Sequence, residues 1–373
     1  MRIAMLATPP VGAHGWASYA RDLITALAQR GSEIVLITSS DAPPTVDLPV
    51  AGYHRLLPSI TPPVRWLNLR LLAARFAVSQ LVRGVDLVHV SAEPFAICAP
   101  ADKPLIVTAH GTYLPRTLAG KLGWLYRRFY HRAVIFCVSS YTQQQVEAVL
   151  PEANTKVILN GVDFAKFQTQ TPIPRKSAAP TIVAVGQHKA RKGFHLSTGD
   201  AGLRPRVAVP DVRAVFAGSD SDTAYVASIR EILKRDGTAD IVRIAGRISD
   251  ADLLELLHTA DLFALPAINT ADGKFEGFGL VYLEASAAGL PVIGTLDCGA
   301  EDAIRDGETG FLIAQNDPEA LAETAIQFLR DANLRSRMGA AGRQGAEVNS
   351  WQQVAARVSG VYATVIRRTP HRG

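Results

Sequence analysis

The sequence predicts an α/β protein built from two doubly wound, Rossmann-like parallel-sheet domains. Three observations carry this expectation. At 373 residues the chain is too long for one ordinary domain and suits two of fewer than about 200 residues each. Short β-branched runs alternate with longer helical patterns from end to end. A polar, proline-rich stretch, "QTQTPIPRKSAAP" (168–180), separates the two halves and reads as a linker.

In the first half, strands are expected at "RIAMLA" (2–7), "EIVLIT" (33–38), "DLVHV" (86–90), "PLIVTA" (104–109), "VIFCV" (134–138) and "KVIL" (156–159). The segment "PPVGAHGWASYARDLITALAQRG" (9–31) places Gly12 and Gly15 in a strand-to-helix loop, followed by an amphipathic helix. The second half offers "TIVAVG" (181–186), "VRAVFAG" (212–218), "IVRIAG" (241–246), "DLFALP" (261–266) and "PVIGT" (291–295). Such runs, apolar on both faces, belong in parallel sheets covered on both sides. Ligands in these sheets bind at the carboxyl ends of the strands, so the cleft between the domains is the expected site. The last segment, "SWQQVAARVSGVYATVIRR" (350–368), spaces Val354, Val358, Val361, Tyr362 and Val365 as one face of a helix.

Composition narrows the class. Hydrophobic content of 48% and charged content of 20% describe a soluble globular protein. No apolar run has the length of a membrane span, and the start, "MRIAMLATPPVG", breaks at Pro9-Pro10 before a leader could form. Cys98, Cys137 and Cys298 lie far apart without His or Cys neighbours, which fits neither a disulfide framework nor a zinc site and suits the cytoplasm. The net charge of +5 is uneven: residues 55–132 hold eleven basic and three acidic side chains, pointing to phosphates or an anionic surface. No nucleic-acid motif accompanies this excess, so nucleic acid is not expected as a partner.

Candidate chemistry centres on "GKFEGFGLVYLE" (273–284), where Glu276 precedes a glycine hinge and Glu284 follows eight positions later. This is either a capped helix with a solvated acid or a site for hydroxyls and phosphate. A dinucleotide-binding pattern fails because Tyr282 stands where the third glycine should be, and no P-loop occurs. Asp220-Ser221-Asp222 follows a strand, where acidic residues more often cap a helix than bind a cation. In "VGQHKARKGFH" (185–195), Lys189, Arg191 and Lys192 stand at a strand's carboxyl end beside a helix start, as a diphosphate site or a solvated basic loop. His110, in "VTAHGTYLPR" (107–116), lies just past another strand, where a histidine has better odds of meeting substrate than elsewhere.

Together, the glutamate pair in "EGFGLVYLEASAAGLPVI", "RKG" after the second half's first strand, "HG" in the first half, "VILNGVDFAKF" and "ADLFALPA" resemble the retaining glycosyltransferases of family 4. The resemblance covers nearly the whole chain in the right order. It implies the GT-B architecture, with a first domain over 1–168 completed by the C-terminal helix 352–368 crossing back, and a nucleotide-sugar-binding domain over 180–349. It implies a nucleotide-diphospho-sugar as substrate, with no cofactor and no metal. Glu276 and the backbone of Gly277, Phe278, Gly279 and Leu280 would meet sugar and diphosphate, and Glu284 the ribose. Arg191 and Lys192 would neutralise the leaving diphosphate, and Arg247 and Ile248 would lie against the base. Gly15 would close on the phosphates and His110 would lie by the transferred sugar. The departure is Gln187, which stands where many relatives carry a phosphate-binding arginine. It keeps a non-catalytic nucleotide-sugar-binding protein in view as an alternative; a GT-B-type epimerase or phosphorylase, of similar architecture, is the other.

The basic excess suggests where an acceptor arrives. Residues 118–133, taken as one helix, gather Leu118, Leu122, Leu125, Tyr126, Phe129 and Ala133 on one face. Lys121, Arg127, Arg128, His131 and Arg132 take the other, with Trp124 among them, and no acid occurs between Lys103 and Glu147. The alternatives are a core helix with a solvated basic side, and contact with an anionic membrane surface through Trp124, Arg127, Arg128 and Arg132. The second implies a lipid-linked or cell-envelope glycan acceptor and a protein peripheral to the inner face of the membrane.

Overall fold

A computed structural model of the chain describes residues 1–12, 15–60, 66–168, 173, 178–198 and 205–368, the side chains of 206 and 207 excepted. Most of the expected linker, 168–180, lies outside the described residues. The chain forms two compact units, one of residues 1–161 with the C-terminal helix, the other of residues 162–350.

The first unit holds a parallel sheet of seven strands: β1 (Arg2–Ala7), β2 (Glu33–Ser39), β3 (Gly52–Leu57), β4 (Leu87–Val90), β5 (Leu105–Ala109), β6 (Val134–Cys137) and β7 (Asn154–Val157). Their order is β3-β2-β1-β4-β5-β6-β7. β1, β2, β4, β5 and β6 are buried almost throughout, as their two-sided apolar sequences require. β3 was not anticipated: "GYHRLL" at the sheet edge is mostly half-exposed and lacks the apolar run of a central strand. The helices are α1 (Gly15–Gln29), α2 (Leu67–Leu81), α3 (Tyr113–Ala119), α4 (Gly123–Tyr130) and α5 (Ser140–Val149). In α1, Tyr19, Ala20, Leu23, Ile24 and Leu27 form the buried stripe.

The second unit holds a parallel sheet of six strands: β8 (Thr181–Val185), β9 (Arg213–Ala217), β10 (Val242–Gly246), β11 (Leu262–Ala264), β12 (Val292–Thr295) and β13 (Gly310–Ile313), in the order β10-β9-β8-β11-β12-β13. β13 is a second edge strand that its sequence did not signal. The helices are α6 (Pro205–Ala208), α7 (Thr223–Arg235), α8 (Asp250–Thr259), α9 (Leu280–Ala287), α10 (Ala300–Ala303), α11 (Pro318–Arg330) and α12 (Ala332–Val348). Ser249, Asp317 and Asp331 cap α8, α11 and α12 by accepting from a backbone N–H three residues on.

The last helix, α13 (Trp351–Arg368), packs on the first unit, as the resemblance implied. Trp351, Val354, Ala355, Val358 and Tyr362 form its buried face. The Trp351 ring meets the Tyr19 ring edge-on at 5.5 Å. Deeper in, Tyr362 Oη lies 2.5 Å from His89 Nδ1, His89 Nε2 lies 2.7 Å from Thr108 Oγ1, and Thr108 Oγ1 lies 3.0 Å from Tyr19 Oη. This buried polar chain joins α13, β4, β5 and α1, and each member finds a partner, as burial demands.

Candidate active site

In the second unit the chain builds β8, β9 and β10 outward, then returns to place β11 on the other side of β8. Such a reversal opens a crevice beyond the carboxyl ends of the two strands. The loop after β8 carries Arg191 and Lys192, and the loop after β11 carries Glu276. The structure brings these three together: Arg191 Nη1 donates to Glu276 Oε2 at 2.6 Å, and Lys192 Nζ meets the same oxygen at 2.5 Å.

Local backbone explains why they meet. Gly193 takes φ +71°, and a Cβ there would come within 1.7 Å of the Pro266 carbonyl oxygen, so only glycine lets the turn lie against the exit of β11. The Ile268 N–H, donating to Arg191 O at 2.9 Å, closes the same contact. Gly279 begins α9 at φ +80°, where a Cβ would strike the Tyr282 ring at 2.5 Å. Tyr282 is itself pinned, its hydroxyl donating to Leu265 O at 2.6 Å. The first amides of α9, from Leu280 on, have no acceptor within the helix and mark its positive end.

Electrostatics make the cluster unusual. Burial alone would push the Glu276 carboxyl up, but Lys192 and Arg191 outweigh it and hold the group at about 2. Burial depresses Lys192, with Glu276 acting against it. The two cations expected to stand open for a diphosphate are therefore ion-paired to the candidate sugar-binding carboxylate. Two positive charges against one negative leave the cluster net positive.

The other expected residues of this unit occupy neighbouring strand ends. Glu284 is half-buried in the second turn of α9, Gly277 and Phe278 are buried in the approach to it, and Arg247 and Ile248 follow β10, exposed and half-buried respectively. Gln187 is half-buried after β8, and beside it His188 Nδ1 lies 2.5 Å from Asp220 Oδ1. Asp222, not Asp220, caps α7 by accepting from Tyr225 N at 3.1 Å. Among the described residues no group of three or more His, Cys, Asp or Glu side chains could hold a metal ion.

In the first unit the reversal lies between β1 and β4. Gly15 opens α1 after β1, and His110 follows β5. His110 Nε2 lies 2.9 Å from the Ser91 carbonyl oxygen, which can only accept, so Nε2 carries the proton and Nδ1 presents a lone pair. The Tyr19 ring stands edge-on at 4.6 Å. Burial draws the pKa of His110 down to about 4, so the ring is neutral near pH 7. Its backbone N–H donates to Glu93 Oε1 at 2.9 Å. Glu93 is wholly buried, and burial raises its carboxyl to about 7. The sequence reading passed over Glu93; the signal available was an acid directly after a buried strand, in "VHVSAEP".

The basic segment corrects one expectation. Residues 118–133 are not one helix: α3 ends at Ala119, Gly120 turns to extended backbone, and α4 begins at Gly123. Trp124 and Arg128 are exposed and Arg127 is half-buried. Arg132 is withdrawn from the surface set, because its guanidinium donates to Ala99 O at 2.9 Å and lies over the Phe129 ring.

Comparison with known proteins places these features. Residues 13–166 match a family model described as Glycosyltransferase Family 4, and residues 166–345 one described as Glycosyl transferases group 1. A glycogen synthase of Mycobacterium tuberculosis is 27% identical over 98% of this chain and 95% of its own length. A GDP-mannose-dependent monoacylated alpha-(1-6)-phosphatidylinositol monomannoside mannosyltransferase of Corynebacterium glutamicum is 27% identical over 80% of this chain and 83% of its own. Among solved structures, sucrose-phosphate synthase of Thermosynechococcus elongatus superposes with a TM-score of 0.79 at 20% identity, over 98% of this chain and 99% of that one.

Proposed function

Because this chain is a glycosyltransferase of the GT-B fold, its two units similar to those two families, we propose that it moves a sugar, with retention, from a nucleotide-diphospho-sugar to an acceptor hydroxyl. The second unit holds the donor. Glu276 accepts from the sugar hydroxyls, a task that suits a carboxylate kept ionised at every working pH. Arg191, Lys192 and the first amides of α9 receive the charge that develops on the diphosphate. Glu284 accepts from the ribose, and the backbone at Arg247 and Ile248 lies against the base. In the first unit, neutral His110 presents a lone pair that can accept from a sugar hydroxyl.

In this reading the acceptor oxygen bonds the anomeric carbon on the face from which the phosphate departs. Its proton passes to the leaving phosphate oxygen, so no enzyme nucleophile and no metal are needed. The observation that carries the proposal is the Arg191–Glu276–Lys192 cluster at the reversal point of the second sheet. Incubation with a panel of sugar nucleotides, following released nucleoside diphosphate and the anomeric configuration of the product, tests it. Binding without release would identify a non-catalytic nucleotide-sugar-binding protein.

For the acceptor, we infer a lipid-linked or cell-envelope glycan met at an anionic membrane surface. The Corynebacterium relative, named for a phosphatidylinositol mannoside, supports this. So do exposed Trp124 and Arg128 on α4.

A further inference from the structure

The first unit carries an apolar face that stands exposed among the described residues. Ten of the fifteen residues of α2 are apolar. Leu67, Leu71, Ala74, Val78 and Leu81 pack on the core of the unit. On the opposite side, Phe76 is 75% exposed and Leu69 59%, with Leu72 and Ala73 also exposed. Trp66, at the head of the helix, is 74% exposed and held at φ +60°, a strained value for a bulky residue. A helix apolar all round is ordinarily buried all round. This one is not.

The exposed side chains recur at 66, 69, 73 and 76, which puts them on one stripe of the helix. α4 lies alongside: Tyr126 Oη donates to Asn68 Oδ1 at 2.7 Å, and Arg75 turns inward over the Phe129 ring. That contact sets Trp124, itself 69% exposed, on the element next to Trp66. Arg70 on α2, Arg83 just past its end, Lys121 just before α4 and Arg128 on α4 are all exposed, while neither helix, nor any residue from 104 to 146, supplies an acid.

We propose that α2 lies in the plane of an anionic phospholipid bilayer, its Leu69–Leu72–Phe76 stripe in the acyl boundary and Trp66 and Trp124 at headgroup level. The role given to this docking, presenting a lipid-linked acceptor, rests on the transferase reading above; the docking itself does not. Charge selects the occupant. A self-complementary dimer through this face would set Arg70 and Arg128 against their own copies with no carboxylate from α2 or α4 to offset them. An anionic lipid surface meets every requirement at once: apolar depth for Leu69 and Phe76, an interfacial layer for the tryptophans, and negative charge for the arginines.

The test is sedimentation of the full chain with vesicles of phosphatidylcholine alone and of phosphatidylcholine mixed with phosphatidylglycerol. The wild type binds the mixed vesicles, binds neutral ones weakly, and releases as salt is raised. Leu69→Ser with Phe76→Ser lowers the partition coefficient by about tenfold or more, since each removes apolar surface from the acyl boundary. Arg70→Ser with Arg128→Ser lowers it by roughly an order of magnitude on anionic vesicles alone. Because all four side chains are exposed, the variants should melt with the wild type and release nucleoside diphosphate from a water-soluble donor and acceptor at its rate. Equal binding by wild type and the Leu69/Phe76 variant overturns the proposal. So does a concentration-dependent dimer in analytical ultracentrifugation that the Phe76 substitution abolishes. Failed docking with normal nucleotide release leaves the transferase reading intact, while docking without release from any donor sinks that reading alone.

Discussion

One oxygen of Glu276, Oε2, holds both Arg191 and Lys192, at 2.6 and 2.5 Å. The residue proposed to take the sugar and the pair proposed to take the diphosphate are thus a single electrostatic unit, and changes to one are felt by the others. Glu276→Gln keeps the shape but removes a charge-assisted acceptor. We expect kcat to fall about ten- to a hundredfold. Nucleoside diphosphate should bind as well as before or better, because the cations lose their internal anion. Steady-state kinetics with product inhibition checks both, and near-normal turnover would remove Glu276 from the sugar.

Arg191→Ala with Lys192→Ala should weaken nucleoside diphosphate far more than nucleoside, by about tenfold or more, since only the former carries the charge they meet. Isothermal titration of the two ligands reads the difference directly. Equal loss for both would mean that the cations serve only to hold Glu276.

Chelation should leave the rate unchanged. Asp222 is occupied in capping α7, and Asp220 is tied to His188. A strict requirement for manganese, restored after EDTA by that ion alone, would overturn the metal-free route and reopen both aspartates as ligands.

Acid should weaken the fold through Glu276. Its folded pKa, about 2, lies below the ordinary 4.5, so the stabilisation is full above pH 4.5 and lost as pH falls from there toward 2. Glu93 runs the other way. Its folded pKa, about 7, lies above 4.5, so its contribution is full below pH 4.5 and lost as pH rises through 7. Melting temperatures of wild type and Glu93→Gln, compared from pH 5 to 8, should show the wild type losing ground to the variant as pH rises. A constant gap would mean that Glu93 does not titrate there.

Much of the fold was legible because central strands advertise themselves. β1, β4 and β5 are apolar on both faces and could be little else. β3 was not legible because it is an edge strand, mostly half-exposed, whose sequence "GYHRLL" lacks an apolar run, and β13 because "GFLI" is a run of only four residues. In the candidate site, residue types and order pointed to Arg191, Lys192 and Glu276. Nothing in the spacing said that the three would share one oxygen, because the loops that bring them together are distant in sequence. Glu93 carried only the weak signal of an acid soon after a buried strand; what marks it out is its partner, the His110 backbone seventeen positions on. For α2, the informative signal was an apolar pattern too wide for one buried face.

The packing of α13 on the first unit has a consequence in time. The ribosome delivers residues 1–161 before the second unit, but the helix that buries Trp351 and Tyr362 against them is made only after it. At elongation speeds of about 5–20 residues per second, the intervening second unit takes on the order of 10–40 s to emerge. Throughout that interval Tyr19 and His89 lack their last partners, and a nascent apolar groove stands open to water. Completion of the first unit is therefore an event that follows translation of the second.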